Sequence, residues 1–176
     1  MNLVFRCIYS FFKFIFYKIR YGRHFSSSFI QGFRGIRLEI HNGGHFSMGT
    51  HNQNRGMVHF VVDGGTMKVG SHLYINTGAY IGCLDSITLG DHVMIANNVI
   101  IVDHDHNVDG ILAGEFHPGF TRAPIVIGDN TWIGANSVIL RGTTIGKNCV
   151  IAAGSVVKGN YPDGSIIIQK RETTIK

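Results

Sequence analysis

Residues 127–157 read IGDNTWIGANSVILRGTTIGKNCVIAAGSVV and keep a period of six. An aliphatic residue opens every unit, and the openers are Ile127, Ile133, Ile139, Ile145, Ile151 and Val157. Gly or Ala follows four of these openers. A helix does not hold a period of six on one face, whereas a short strand followed by a tight turn does. We therefore predict stacked coils of three short strands each, with one aliphatic side chain per strand pointing inward.

The same period runs through an earlier block of the chain, residues 69–101. Its openers are Val69, Ile75 and Ile81 and then, after a slip of two residues, Leu89, Ile95 and Ile101. The chain also holds 23 glycines against 3 prolines, spread along its length, which is typical of many tight turns between short strands. From 176 residues we expect one domain, long enough to bury a sizeable core.

The net charge of +5 belongs to the N-terminal segment rather than to the whole protein. Before Glu39 the chain carries seven basic residues and no acidic one, whereas the rest has 9 basic residues against 11 acidic ones. Because a nucleic-acid-binding domain carries basic residues on its folded body, we expect no nucleic acid partner. The cysteines Cys7, Cys83 and Cys149 are far apart and form no CxxC pair, which favours a reducing, cytoplasmic compartment.

Residues 2–21, NLVFRCIYSFFKFIFYKIRY, predict an amphipathic helix within an N-terminal segment of residues 1–25. One stripe of this helix holds Arg6, Ser10, Lys13, Tyr17 and Arg20. Basic residues interrupt the apolar run, so it is a poor membrane-spanning helix, and no cleavage site marks it as a signal peptide. Two alternatives stay open. The helix lies peripherally on an anionic membrane surface, or it packs its apolar side on the protein body or a neighbouring subunit.

The units IGDNTW, IGANSV, IGKNCV and IAAGSV resemble the hexapeptide-repeat acetyltransferases. The chain is similar above all to the galactoside, maltose and nodulation O-acetyltransferases and to bacterial polysaccharide O-acetyltransferases, over residues 69–158. The resemblance implies an all-β fold, a left-handed parallel β-helix over residues 26–168 with a loop extruded at residues 103–124. The N-terminal helix precedes this domain, and a tail of residues 169–176 follows it. The resemblance also implies a homotrimer with active sites between the subunits.

The six-residue period stops after Ile101, where residues 103–124, DHDHNVDGILAGEFHPGFTRAP, form a polar excursion. Long loops on rigid scaffolds often carry function. In the resembled family the catalytic histidine stands at the start of this loop, and His104 takes that place. A neutral imidazole suits a general base that removes the proton of a sugar hydroxyl.

Further polar residues are candidates around that base. His106 is the second choice for the base and a candidate contact to the acceptor, and either Asp103 or Asp105 could orient an imidazole. For the carbohydrate acceptor, Asn76 in YINTGAY matches a sugar-binding Asn of the galactoside enzyme, and Asp85 lies on the next coil. Asn is also a favoured corner residue of such coils, since it tolerates left-handed backbone angles.

The resemblance implicates residues after the loop in binding acetyl-CoA. The only tryptophan matches a residue that lines the coenzyme A channel, and the backbone N–H three residues on would contact the thioester as a catalytic donor. The implicated residues are Trp132, Ala135, Ala153, Gly154, Lys158, Lys170 and Arg171. The last two stand where the family usually has a Gly-x-Pro motif, and their cationic heads could meet the cofactor phosphates.

The resemblance implies an acetyl-CoA-dependent O-acetyltransferase that acts on a carbohydrate hydroxyl, and the N-terminal helix favours surface polysaccharide or lipopolysaccharide synthesis. We expect it in the cytoplasm, in peripheral contact with the inner face of the membrane. An N-acyltransferase acting on an amino-sugar nucleotide and a non-catalytic β-helix stay open as alternatives. A zinc enzyme like the gamma-class carbonic anhydrases would use His92, His104, His106 and His117. We expect no metal, because the repeats and the tryptophan motif match the acetyltransferases better.

Overall fold

The structure, a computed structural model, describes residues 3–169, and most of them form one parallel β-solenoid behind an N-terminal helix. The first elements are α1 (Leu3–Tyr21), a 3-10 helix (Gly22–His24), β1 (Phe25–Ser27), β2 (Gly35–His41), β3 (His45–Met48), β4 (Gln53–Asn54), β5 (Met57–Asp63), β6 (Thr66–Val69), β7 (Tyr74–Ile75), β8 (Tyr80–Cys83), β9 (Ser86–Leu89), β10 (Met94–Ile95) and β11 (Ile100–Val102). They are followed by β12 (His104–His106), α2 (Val108–Leu112), β13 (Phe120–Arg122), β14 (Ile125–Ile127), β15 (Trp132–Ile133), β16 (Val138–Ile139), β17 (Thr144–Ile145), β18 (Val150–Ile151), β19 (Val156–Val157), β20 (Asn160–Tyr161) and β21 (Ile166–Ile167).

The solenoid has three faces, and each face is a parallel sheet. The first face has the order β1-β3-β6-β9-β14-β17-β20, the second β4-β7-β10-β15-β18-β21 and the third β2-β5-β8-β11-β16-β19. The first corner is the turn from the first face to the second, the second corner leads to the third face, and the third corner leads back. Because the six strands of the second face stack in parallel, the chain makes about six coils. The predicted parallel β-helix of hexapeptide repeats is confirmed.

The aliphatic residues that keep the six-residue period form the core of the solenoid. Ile133 is in register with Ile151 and Ile139 with Val157, so that equivalent residues stack from coil to coil. All the openers of both blocks are at most 4% exposed. Each such buried side chain contributes about 1.5–3 kcal/mol to stability, so the stacked column accounts for the period in the sequence.

At the first corner, successive coils place a residue with left-handed backbone angles at the same position, so that these residues form a column. His51, His72 and His92 have φ angles of 59°, 60° and 57°, and Asn130 and Asn148 continue the column with 56° and 55°. The ring centroids lie 5.2 Å apart between His51 and His72 and 4.6 Å apart between His72 and His92, with nearly parallel planes. Non-glycine residues enter this backbone region at a cost, which is lowest for Asn, Asp and His. This preference explains why His and Asn fill the column.

Helix α1 covers the open edge of β2, the first strand of the third face. Tyr17 Oη donates to Ile36 O (2.9 Å) and accepts from Leu38 N–H (3.0 Å), while Ser10 Oγ accepts from Phe33 N–H (2.8 Å). Unpaired backbone groups on a sheet edge are a template for unwanted pairing with other chains. The hydroxyls of α1 therefore close this end of the solenoid.

The side of α1 that packs on the solenoid carries Ser10, Phe14 and Tyr17, whereas the broad face of Phe and Ile points away from it. Ser10 and Tyr17 are buried, whereas Phe12 and Ile19 are 65% and 79% exposed. The expectation that the apolar side packs on the body of the same chain is therefore wrong, because side-chain hydroxyls are needed at the strand edge. No helix within residues 3–169 is long and apolar enough to cross a membrane.

Candidate active site

The chain leaves the solenoid at the third corner, directly after β11, and returns to it at β14. The excursion contains the antiparallel pair of β12 and β13, in which His104 lies opposite Arg122 and His106 opposite Phe120. The Phe120 ring contacts both imidazoles, at 5.4 Å from the centroid of His104 and 4.9 Å from that of His106. This strand pair fixes the position of His104 at the root of the predicted loop.

Asp103, the first residue of the loop, is fully buried, and backbone groups hold its carboxylate. Oδ1 accepts from Leu84 N–H and Oδ2 from Asp85 N–H, both at 2.8 Å. These two N–H groups lie at the corner where the six-residue period slips by two residues, between Ile81 and Leu89. Hydrogen bonds from the backbone offset the cost of burying a carboxylate. The two-residue slip in the repeat therefore provides the two backbone donors that hold the Asp103 carboxylate.

The His104 imidazole is oriented by the same carboxylate. Its Nδ1 lies 3.1 Å from Asp103 Oδ1, and the His104 side chain is 19% exposed. Because an ionised carboxylate only accepts hydrogen bonds, Nδ1 carries the proton and the lone pair is on Nε2. An imidazole held in this tautomer is ready to accept a proton from a bound hydroxyl.

The other aspartate of the loop has a different partner. Asp105 Oδ2 accepts from Arg141 Nε at 2.5 Å, and this ion pair ties the loop to the next coil. The structure thus distinguishes between the two aspartates that the sequence left open, since Asp103 and not Asp105 contacts His104. His106 is exposed and lies against Phe120 at the outer end of the strand pair.

A thiol also lies beside the buried carboxylate. Burial, and after it the nearby Asp103 carboxylate, raises the pKa of the Cys83 thiol well above its usual value. Because the thiolate is the nucleophilic form of cysteine, a thiol kept protonated is a poor nucleophile. Cys83 is therefore a poor candidate for a nucleophile at this corner.

Several predicted binding residues lie at the second corner instead. Asn76, Ala135, Ala153 and Gly154 occupy this corner in three different coils, and Gly154 N–H donates to Ala135 O at 2.8 Å. Within residues 3–169, the Ala135 N–H has no hydrogen-bond acceptor. A backbone donor that stabilises a developing oxyanion has to be unpaired in this way. Asn76 Oδ1 accepts from Thr77 N–H at 2.9 Å, so its side chain also stabilises the corner itself.

The remaining predicted site residues lie on a face, at the third corner or beyond the described range. Trp132 stands on the second face, 47% exposed, between the neighbouring residues Met94 and Val150. Lys158 is exposed at the third corner. Asp85, a candidate contact to the acceptor, lies at the same corner in an earlier coil. Lys170 and Arg171 lie outside the described residues.

One chain does not bring His104 and Ala135 together. Ala135 precedes β16 of the third face, whereas the loop of His104 leaves that face at its far end, next to Arg141. Ala135 and Arg141 lie in the turns at opposite ends of β16. The proposed base and the proposed oxyanion donor therefore lie at different corners of the same chain.

Some residues of this site carried no signal in the sequence. Phe120 and Arg141 acquire their roles only through the antiparallel pairing inside the loop and the stacking of the next coil. An aromatic residue and a cation after a long loop are too common to single out. Within residues 3–169, no group of three His, Cys, Asp or Glu side chains is placed to hold a metal ion.

Comparison with known proteins identifies the repeat. A family profile described as the hexapeptide repeat of succinyl-transferase matches residues 124–158. These residues form a hexapeptide repeat. The chain is 29% identical over 103 residues to the putative lipopolysaccharide biosynthesis O-acetyl transferase WbbJ of Escherichia coli strain K12, a match covering 54% of this chain and 53% of WbbJ. It is 40% identical over 79 residues to the galactoside O-acetyltransferase of the same strain, covering 44% of this chain and 37% of that protein.

A solved structure shares the fold of this chain. The hexapeptide-repeat containing acetyltransferase VCA0836 of Vibrio cholerae, complexed with acetyl coenzyme A, matches with a TM-score of 0.50 and 26% identity. The match covers 78% of this chain and 66% of that chain. The chain spans about half or less of the length of the two curated relatives above. These likenesses confirm the resemblance to the hexapeptide-repeat acetyltransferases.

Proposed function

We propose that this protein transfers an acetyl group from acetyl-CoA to a hydroxyl group of a carbohydrate, with His104 as the general base. The observation that carries the proposal is the buried Asp103 carboxylate, which holds the His104 imidazole with its Nε2 lone pair free to accept a proton. The names of WbbJ and of the galactoside enzyme support O-acetylation, because both relatives are O-acetyltransferases.

In the proposed reaction acetyl-CoA supplies an acetyl group activated as a thioester. His104 Nε2 accepts the proton of the sugar hydroxyl as its oxygen forms a bond to the acetyl carbonyl carbon. The Asp103 carboxylate then faces an imidazolium, and its negative charge stabilises that cation. The imidazolium returns the proton to the departing sulfur as the carbon–sulfur bond breaks, so that the ester and the free thiol are formed and the base is restored.

The donor side of the site is proposed along the second face and second corner. Trp132 offers an exposed aromatic surface there, and the Ala135 N–H is free to donate to the oxyanion that develops on the acetyl oxygen. Ala153 and Gly154, at the second corner, and Lys158, at the third corner, would flank the pantetheine arm. The acetyl-CoA complex of VCA0836 supports binding of the same ligand by this chain.

We also propose that the active protein is a homotrimer in which two chains complete each site. The separation of His104 from Ala135 within one chain supports this, because the partner chain would bring its own second corner to the His104 loop. The outward side chains of the second and third faces are apolar at several strands, and 40% to 70% exposed: Met94, Trp132 and Ile166 on the second, Ile100 and Val156 on the third. Such adjoining apolar faces suit a subunit interface.

For the acceptor we propose a sugar of a surface polysaccharide or lipopolysaccharide, contacted by Asn76, Asp85 and His106. The name of WbbJ, a lipopolysaccharide biosynthesis enzyme, supports this class. We place the reaction in the cytoplasm, where thiols stay reduced. The free thiols Cys7, Cys83 and Cys149 are consistent with that compartment.

The test is acetyl-CoA consumption by the purified full chain against a panel of sugars, lipid-linked glycans and amino-sugar nucleotides. Release of the coenzyme A thiol gives the rate, and the product bond is identified by its lability to mild base. We expect a base-labile ester with a carbohydrate acceptor. A base-stable amide formed on an amino-sugar nucleotide would instead identify an N-acyltransferase, and activity that disappears with a chelator would support the zinc alternative.

A further inference from the structure

Helix α1 presents a broad apolar surface on the side that faces away from the solenoid. The outer face of α1 is formed by Val4, Phe5, Ile8, Phe11, Phe12, Phe16 and Ile19. These side chains are 44% to 79% exposed, and Phe29 and Ile30 lie beside them at 39% and 60%. Exposed apolar patches of this size mark a surface that another apolar phase or molecule covers.

This surface is held in a fixed orientation. The opposite side of α1 is anchored by side-chain hydrogen bonds to the first coil, through Tyr17 and Ser10 and through the Arg6 guanidinium, which donates to Gly32 O and to Asn54 O. Phe14 is fully buried between these polar anchors. The outer face therefore cannot turn inward without breaking the hydrogen bonds that close the end of the solenoid.

The charges around the outer face indicate which kind of partner it binds. Between Leu3 and Leu38 the chain has basic residues and no acidic one. Lys13, Arg20 and Arg23 lie on α1 or at its end, and the Lys13 amine contacts the Phe16 ring at 5.5 Å from its centroid. A second copy docked on this face would bring like charges together. An anionic surface would neutralise them.

We propose that the outer face of α1 docks on the surface of an anionic lipid bilayer, with the helix lying in the plane of the interface. A Phe- and Ile-rich face bordered by cations is the composition that binds such interfaces, the apolar side chains entering the acyl boundary and the cations meeting the phosphates. The polar groups that such a helix usually turns to water are here bonded to the protein body.

The docked orientation sets the distance of the candidate active site from the bilayer. On the third face, β2 and β11 are separated by three strand spacings, or roughly 14 Å at about 4.8 Å each, and α1 adds about 10 Å. The root of the His104 loop would therefore lie about 25 Å from the interface. This consequence rests on the proposed function, and it favours a lipid-linked glycan as the acceptor.

The test is co-sedimentation of the full chain with vesicles of phosphatidylglycerol and phosphatidylcholine, compared with vesicles of phosphatidylcholine alone. We expect strong binding to the anionic vesicles and weaker binding to the neutral ones. The triple variant Phe5→Ser, Phe12→Ser and Ile19→Ser removes three outward side chains and should lower the partition coefficient by about 100-fold or more. The variant Arg20→Gln with Arg23→Gln should lower binding to anionic vesicles only, by about 5-fold per charge.

The matched control removes exposed apolar side chains elsewhere. Leu112 and Phe116, in the extruded loop, are 80% and 90% exposed, and their replacement by Ser should leave vesicle binding unchanged. The exposed Cys7 thiol provides a second readout, because thiol reagents should label it more slowly when vesicles cover the helix. Circular dichroism should show that every variant keeps the wild-type melting temperature.

Two results would overturn the proposal. In the first, the wild type does not bind anionic vesicles, or the loop control loses binding as much as the triple variant does. In the second, the triple variant halves the mass of the assembly in the absence of lipid, which would show that a second copy covers the face. Vesicle binding does not depend on acetyl transfer, so failure of one proposal leaves the other intact.

Discussion

The contact between Asp103 and His104 gives the sharpest prediction of this structure. The change Asp103→Asn keeps the shape of the side chain and replaces one acceptor oxygen by an NH2 group. Three donors converge on the native carboxylate: the N–H groups of Leu84 and Asp85, at 2.8 Å, and His104 Nδ1, at 3.1 Å. An amide accepts through one oxygen only, so in either orientation at least one buried donor faces another donor.

The expected magnitudes follow from those contacts. A buried donor left without an acceptor costs about 1–3 kcal/mol, so the free energy of unfolding should fall by that amount. A hydrogen bond between charged groups is worth about 1.5–3 kcal/mol, and the imidazolium formed in the reaction loses that stabilisation. We therefore expect the rate of acetyl transfer by Asp103→Asn to fall by about 10–100-fold. The affinity for coenzyme A should change little, because no predicted coenzyme A contact is removed.

Asp105→Asn is the matched control, since it makes the same chemical change two residues away. Asp105 is 42% exposed and pairs with Arg141, and an ion pair of that kind contributes up to about 1 kcal/mol. The rate of acetyl transfer by Asp105→Asn should fall by less than about 5-fold. The assay is thiol release from acetyl-CoA with the best acceptor of the panel, with coenzyme A affinity measured by calorimetry. If both variants lose rate equally, or if folded Asp103→Asn keeps the wild-type rate, Asp103 does not orient the base.

Three further predictions concern the rest of the chain. In the left-handed column, His72→Asn should keep the melting temperature while His72→Val lowers stability by about 1–2 kcal/mol, as measured by circular dichroism, because β-branched residues are strained at φ of 60°. Thiol reagents should label the exposed Cys7 rapidly and leave Cys83, which is buried and has a raised pKa, unlabelled until the protein unfolds; rapid labelling of both would contradict the burial. The Lys147 ammonium lowers the pKa of Asp129, so this pair stabilises the fold above the usual carboxylate pKa and ceases to do so as the pH falls through the lowered one. Lys147→Met should therefore have a lower melting temperature than the wild type at pH 6, and the difference should disappear once the pH falls below the lowered pKa of Asp129, whereas a constant difference would refute the pairing.

The fold could be predicted from the sequence because each six-residue unit carries the same local pattern and the pattern repeats along the chain. The openers of the six-residue units, such as Ile133 and Ile151, are buried in register as the period predicts. The loop could be predicted for the same reason, since it interrupts a regular pattern. The two-residue slip between Ile81 and Leu89 was visible too, but its consequence, a pocket for the buried Asp103, depends on the packing of a neighbouring coil.

The rest of the candidate site depends on contacts between distant residues. Asp103 and Asp105 flank His104 symmetrically in the sequence, and only the buried backbone donors and the Arg141 side chain separate their roles. The orientation of α1 could not be predicted from amphipathicity, because the open strand edge needs hydroxyls more than it needs further apolar contact. The roles of Lys170 and Arg171 stay predictions.

The most direct test of the central claim is the effect of His104→Ala on acetyl transfer, with His106→Ala as the control. If His104 is the general base, the catalytic rate falls by about 10²–10⁴-fold while the affinity for coenzyme A barely changes, and His106→Ala keeps most of the rate. A folded His104→Ala protein that transfers acetyl groups at the wild-type rate, or a larger loss in His106→Ala, would contradict the account.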